Sequence, residues 1–87
     1  MNHIDLKKLE RILETEKWIR DDRKKKVQRL RDLEVICGLT DEERNLLEVY
    51  EKDLERYEYI VEALEFLREN VKHEIMIATL ENELDKL

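Results

Sequence analysis

The sequence predicts an all-α fold, a long antiparallel helical hairpin that is expected to form a dimeric helical bundle or coiled coil. Composition is the first observation: of the 87 residues 46% are charged, none is Pro and one is Gly. Glu, Lys, Leu and Arg dominate, and these side chains lose little rotamer freedom in a helix. The second observation is that apolar residues recur every three or four positions on both sides of the single glycine. The third is a turn signature at that glycine.

The first helix is expected to cover about residues 4–37. Its apolar positions follow the helical repeat: Leu6, Leu9, Ile12, Leu13, Ile19, Val27, Leu30, Leu33 and Cys37. Seven charged residues at positions 20–26 interrupt this stripe, and Asp21 or Asp22 is a residue type that caps helices. Because no Gly or Pro breaks the segment, we expect one continuous helix, with two helices in line as the alternative.

The turn is expected at residues 38–40. Gly38 is suited to the left-handed conformation that closes a helix, and Leu39 is expected to pack back near Leu33. Thr40 and Glu43 have the Thr-x-x-Glu spacing of a capping box. Together these residues predict a tight hairpin.

The second helix is expected to cover about residues 41–87. Its first part carries an unbroken heptad pattern of apolar residues: Leu47, Tyr50, Leu54, Tyr57, Val61 and Leu64. Near Asn70 the phase of the pattern shifts, and Ile77, Leu80, Leu84 and Leu87 form a new series. The shift indicates either a stutter in one helix or a new helix that begins near Asn70. The aromatic side chains are expected mainly in the core and in interfaces, with Trp18 and Tyr59 the most exposed.

The chain is short enough for one domain, residues 1–87. A turn near residue 39 places Ile4 opposite Glu74, so residues 75–87 form a C-terminal segment with no partner inside the hairpin. We expect dimerisation to cover this oligomerisation segment, because two helices alone give a thin core. A fold-back into a three-helix bundle is the alternative. The residues expected to mediate oligomerisation are Val71, Ile75, Met76, Ile77, Leu80, Leu84 and Leu87.

Catalytic chemistry is poorly represented in the chain. There is no Ser and no Gly-rich phosphate loop, and Cys37 is the single cysteine. His73 with Glu69 and the distant His3 falls short of a metal site, so we expect no enzyme activity, no metal and no cofactor. A lone cysteine, no secretory signal and no apolar run of membrane-spanning length predict a soluble cytoplasmic protein.

Charge is divided unevenly along the chain. The net charge is −6, but residues 1–40 carry +3 and residues 41–87 carry −9. Seven glutamates recur at spacings of three and four on one face of the second helix: Glu48, Glu51, Glu55, Glu58, Glu62, Glu65 and Glu69. The hairpin register places basic side chains of residues 20–31 beside the first part of this row. It leaves Glu62, Glu65 and Glu69 opposite Glu16, Leu13 and Leu9, without cations.

These features predict a non-catalytic protein-binding module, an adaptor or a stoichiometric inhibitor of a cytoplasmic machine. Its expected docking site for a basic partner is an acidic patch of four residues: Glu58, Glu62, Glu65 and Glu69. A solvated face with internal ion pairs is the simpler interpretation of the same row. A nucleic-acid-binding protein is one alternative, with contacts from Arg20, Arg23, Lys24, Lys25, Lys26 and Arg29. A structural coiled-coil subunit is another.

Overall fold

The computed structural model describes residues 5–87. Helix α1 covers Leu6–Cys37 and helix α2 covers Asp41–Asp85. The two helices pack against each other in a rod of 71 × 21 × 15 Å. The predicted all-α hairpin is therefore confirmed. Ile4, and with it the expected pairing of Ile4 with Glu74, lies outside the described residues.

Helix α1 runs without interruption through the charged stretch at residues 20–26. Asp5 caps its N-terminus, where the side chain accepts a hydrogen bond from the backbone N–H of Lys7 at 2.9 Å. Asp22 does not cap a second helix. It accepts ion pairs from Arg23 at 2.7 Å and from Lys26 at 3.1 Å, one helical turn away. The prediction of one continuous first helix is therefore confirmed.

The turn closes with Gly38 at φ 79° and ψ 169°. The positive φ is as expected, but the extended ψ differs from the left-handed helical conformation that the sequence predicted. The N–H of Gly38 donates to the carbonyl of Glu34 at 3.1 Å, and the chain then leaves α1 in an extended direction. Leu39 is buried in the turn. The capping box is present: Glu43 N–H donates to Thr40 Oγ1 at 3.2 Å, and Thr40 N–H donates to Glu43 Oε1 at 3.0 Å.

Helix α2 is one continuous helix through Asn70. The phase shift is therefore accommodated within a single helix, and no new helix begins there. No Gly or Pro follows Gly38 in the sequence, so every residue of this stretch can continue the intrahelical hydrogen bonding.

The core is a thin apolar seam between the helices. Its six buried residues are Leu9, Leu13, Val27, Leu39, Val61 and Val71. Val71 belongs to this core and is only 8% exposed, so its expected assignment to the oligomerisation surface is wrong. In the chain beyond Val71, every residue is exposed. The core therefore ends where α2 passes the beginning of α1.

Candidate interaction surfaces

The acidic row lies along one side of α2 and spans about 31 Å at about 1.5 Å per residue. Two of its glutamates pair across the hairpin. Glu51 lies 3.1 Å from the guanidinium of Arg31, and Glu65 lies 3.3 Å from Nζ of Lys17. Glu48 pairs within α2, 3.3 Å from Nζ of Lys52. The row is therefore partly neutralised by the hairpin itself.

The predicted absence of cations at the far end of the row is wrong for two residues. Glu65 pairs with Lys17, and Glu69 lies 3.5 Å from Arg68 and 4.0 Å from Lys72. Lys17 lies one turn away from the position directly opposite Glu65, and a Lys side chain is long enough to reach diagonally across the hairpin. Glu69 instead pairs with cations of its own helix, which are not found by comparing opposite positions. All these pairs are partly exposed, where an ion pair contributes little to stability.

The unpaired part of the row lies in its middle. Glu55, Glu58 and Glu62 are exposed, and within residues 5–87 none of the three has a cation within ion-pair distance. Glu58 and Glu62 belong to the predicted acidic patch. Glu55 is absent from the predicted patch, because the hairpin register places basic side chains of α1 beside that part of the row. Its phase on the helix was the available signal.

The basic stretch of α1 contacts α2 mainly through two arginines. Arg23 lies 3.6 Å from Asp53 and 5.8 Å from the ring centroid of Tyr50, while Arg31 pairs with Glu51. Lys26 lies 5.5 Å from the same ring. The prediction that basic side chains of residues 20–31 lie beside the first part of the acidic row is confirmed for Arg31, which pairs with Glu51, and for Arg23, which pairs with Asp53 of the same part of α2.

Other cations of this stretch make no ion pair with the described residues of α2. Arg20 pairs with the neighbouring Asp21 at 3.1 Å. Lys24, Lys25 and Arg29 are exposed, and no acidic group of the described chain lies within ion-pair distance of them. These three cations are the accessible part of the predicted nucleic-acid surface.

The C-terminal segment lies beyond the end of the hairpin core. Its large apolar side chains are all exposed: Ile75, Met76, Ile77, Leu80, Leu84 and Leu87. Ile77 is the least exposed, at 41%. The prediction that this segment has no partner within the hairpin is confirmed for the described residues. What covers it stays a prediction.

Two aromatic side chains extend the exposed apolar surface into the hairpin. Tyr59 is 73% exposed, as predicted, and Phe66 is 70% exposed. Of the two places that the sequence predicted for the aromatic side chains, the core and interfaces, Phe66 is therefore not in the core. Phe66 lies seven residues after Tyr59, so both occupy the same side of α2. The sequence pattern that indicates this shared surface is the helical spacing of Tyr59 and Phe66, which continues into the apolar series at Ile77, Leu80 and Leu84.

The side chains with the potential for metal binding or nucleophilic chemistry are scattered over the described residues. Within residues 5–87 no three His, Cys, Asp or Glu side chains cluster as metal ligands. Exposed Cys37 lies 3.6 Å from the carbonyls of Leu33 and Gly38. A shallow surface groove on α1 is lined by Arg11, Glu14, Thr15 and Trp18. Neither helix contains a stretch long and apolar enough to cross a membrane.

Comparison with known protein families, with curated proteins and with solved structures gave no match to the chain.

Proposed function

We propose that the protein is a non-catalytic protein-binding module that presents the acidic side of α2 to a basic partner in the cytoplasm. The observation that supports the proposal is the unpaired stretch Glu55, Glu58 and Glu62. These three carboxylates are consecutive members of one row and are exposed. Cations of the hairpin pair with the glutamates of the row on both sides of these three. The negative charge of Glu55, Glu58 and Glu62 is therefore available to a partner.

The mode of action that fits such a surface is stoichiometric. A line of carboxylates about 10 Å long, at about 1.5 Å per residue, steers a cationic surface and fixes its orientation. It contributes little to folding, because exposed charges have small effects on stability. The module would therefore act as an adaptor or an inhibitor that occupies a basic site.

Charge reversal tests the proposal. We expect Glu58→Lys with Glu62→Lys to retain helicity and thermal stability and to lose roughly tenfold or more in affinity for the basic protein captured by the wild-type chain. The matched control is Glu10→Lys with Glu14→Lys, two exposed glutamates of α1. The measurement is a quantitative pull-down from lysate followed by titration of the purified partner at two salt concentrations. Equal loss in both double variants, or no loss in either, contradicts the proposal.

Nucleic-acid binding is the second candidate, favoured by the exposed Lys24, Lys25 and Arg29. Replacing these three cations with Gln should then abolish binding and lower the salt dependence by roughly one unit per lost phosphate contact. A gel-shift titration of the intact chain at two salt concentrations separates the two candidates. Tight, salt-sensitive DNA or RNA binding would replace the acidic-surface proposal.

Self-association as a dimer or as a coiled-coil subunit is the remaining candidate, favoured by the exposed C-terminal segment. Light scattering of the intact chain at micromolar concentration measures it directly, because the monomer has a mass of 10.7 kDa.

A further inference from the structure

Helix α2 has a second apolar seam on the side that faces away from α1. Tyr59 is two residues from the buried Val61, which places the two side chains about 200° apart around a helix of 3.6 residues per turn. From Tyr59 the spacing alternates four and three without interruption, because α2 is continuous to Asp85. The members of this seam, called the outer seam below, are Tyr59, Ala63, Phe66, Asn70, His73, Ile77, Leu80 and Leu84.

The outer seam is exposed along its whole length. Phe66 is 70%, Leu80 is 56% and Leu84 is 66% exposed. The seam extends about 38 Å at about 1.5 Å per residue. It crosses the end of the hairpin core without a change in phase, so the hairpin part and the overhanging part present one surface. An unbroken four-three pattern of this length is the pattern by which one helix docks along another.

The positions that flank the outer seam carry only one sign of charge. In a helical pair these positions set the choice of partner through ion pairs. On one edge the acidic flanking residues are Glu62, Glu69 and Glu83, on the other edge they are Glu74 and Glu81, and all five are exposed. No Lys or Arg occupies a flanking position between residues 59 and 84. The nearest cations lie outside these positions: Arg68 and Lys72 are 3.5 Å and 4.0 Å from Glu69, and Lys86 is 3.5 Å from Glu83.

A second copy of the chain fits these edges poorly. Parallel pairing along the outer seam places Glu69 of one copy beside Glu74 of the other. Antiparallel pairing centred near residue 75 brings the two Glu74 side chains together and sets Glu69 against Glu83. Both arrangements join like charges, and the antiparallel one also sets Asn70 against Leu80.

We infer that the outer seam is the docking site for an amphipathic helix of another protein, with apolar residues at its a and d positions and Lys or Arg at its e and g positions. Such a helix covers Phe66, Leu80 and Leu84 and pairs with glutamates on both edges. Glu62 belongs to both the outer seam's edge and the unpaired part of the acidic row, so the inference rests on the proposed function and specifies the partner's form.

A synthetic peptide about four heptads long tests the inference against the full-length chain. It carries Leu and Ile at a and d, one Asn at a, and Lys at every e and g, which opposes its own dimerisation. The first control peptide has the same composition in scrambled order. The second has Glu in place of Lys. Fluorescence anisotropy measures binding, and circular dichroism measures the helix gained on mixing.

The basic amphipathic peptide should bind roughly tenfold or more tightly than the scrambled one and gain helix on binding, and the acidic peptide should not bind. Phe66→Ala and Leu80→Ala should each weaken binding roughly tenfold, while Ile36→Ala, a 79% exposed apolar site on α1, should leave it unchanged.

Three results would overturn the inference. Equal binding of the basic amphipathic and scrambled peptides would contradict docking as a helix, but it would be consistent with the acidic surface of the proposed function. If neither the basic amphipathic peptide nor the scrambled basic peptide binds, both the docked helix and the acidic surface of the proposed function are contradicted. A chain that is dimeric at micromolar concentration, and that Leu80→Glu converts to a folded monomer, assigns the outer seam to a second copy.

Discussion

The two parts of helix α2 both carry apolar residues at helical spacing, but their surroundings are opposite. Residues 41–71 lie along α1, and Val61 and Val71 are 2% and 8% exposed there. Residues 72–85 continue the same helix, yet their large apolar side chains are at least 41% exposed. Helix formation depends on local propensity and hydrogen bonding, whereas burial requires a neighbour. The comparison shows that apolar spacing predicts which side of a helix can be buried in a contact. It does not predict which other element packs against that side.

The largest expected effect separates the core from the overhang. Leu13 is 2% exposed and Leu80 is 56% exposed. Leu13→Ala should lower the free energy of unfolding by about 2–5 kcal/mol, because it removes buried methyl groups and leaves a cavity. Leu80→Ala should change it by less than about 0.5 kcal/mol. Urea unfolding followed by circular dichroism measures both, and a similar loss in the two variants would mean that the overhang is packed.

The second effect tests how the paired region closes at Gly38. No atom lies within 4 Å of an added Cβ, so the cost of a side chain arises from the backbone alone. The observed φ and ψ belong to a region that only glycine readily adopts, and Gly38→Ala should cost about 1–3 kcal/mol. Gly38→Asn should cost as much as Gly38→Ala. If Asn were clearly milder, the turn would have the left-handed helical conformation, which Asn tolerates.

The third effect is the pH dependence of the capping box. Hydrogen bonds from the Thr40 backbone N–H and then from its side chain lower the pKa of Glu43 below its ordinary 4.5. A carboxyl group whose pKa is lower in the folded state than in the unfolded state stabilises the fold at pH values above its unfolded-state pKa. This stabilisation is lost as the pH falls through the folded-state pKa. NMR titration should show the lowered pKa of Glu43 in the wild type.

The matched variant for the capping box is Thr40→Ala. Removal of the N-cap side chain should cost about 1 kcal/mol. The pKa of Glu43 should rise toward 4.5, since the variant loses the hydroxyl contact but keeps the backbone N–H. A pKa that is unchanged in this variant would show that the backbone contact alone accounts for the shift.

The smallest effect concerns the overhang itself. Deletion of residues 75–87 should change the free energy of unfolding by less than about 0.5 kcal/mol at concentrations where the intact chain is monomeric. The helical signal should fall only by the residues removed. A large loss of stability in dilute solution would mean that the segment packs on its own chain, as in the three-helix alternative.

The sequence by itself determined the helices and the turn. The absence of Pro, the single Gly38 and the Thr40 and Glu43 capping box define both helix ends at the turn from local interactions, and they do so within a residue of the observed bounds. The antiparallel register and the unpartnered C-terminal segment also follow from chain geometry. Continuity through Asn70 does not follow from the sequence, because the apolar phase changes there while helix propensity does not.

Only the tertiary structure decided which individual side chains are buried and which form ion pairs across the hairpin. Lys17 reaches Glu65, Val71 closes the core and Phe66 points away from it, although each of these residues fits its helical pattern equally well in another role. Which apolar side of α2 is buried, and which glutamates pair across the hairpin, depends on where α1 lies across the surface of α2. That position is set by the packing of both helices together, so no local stretch of sequence contains it.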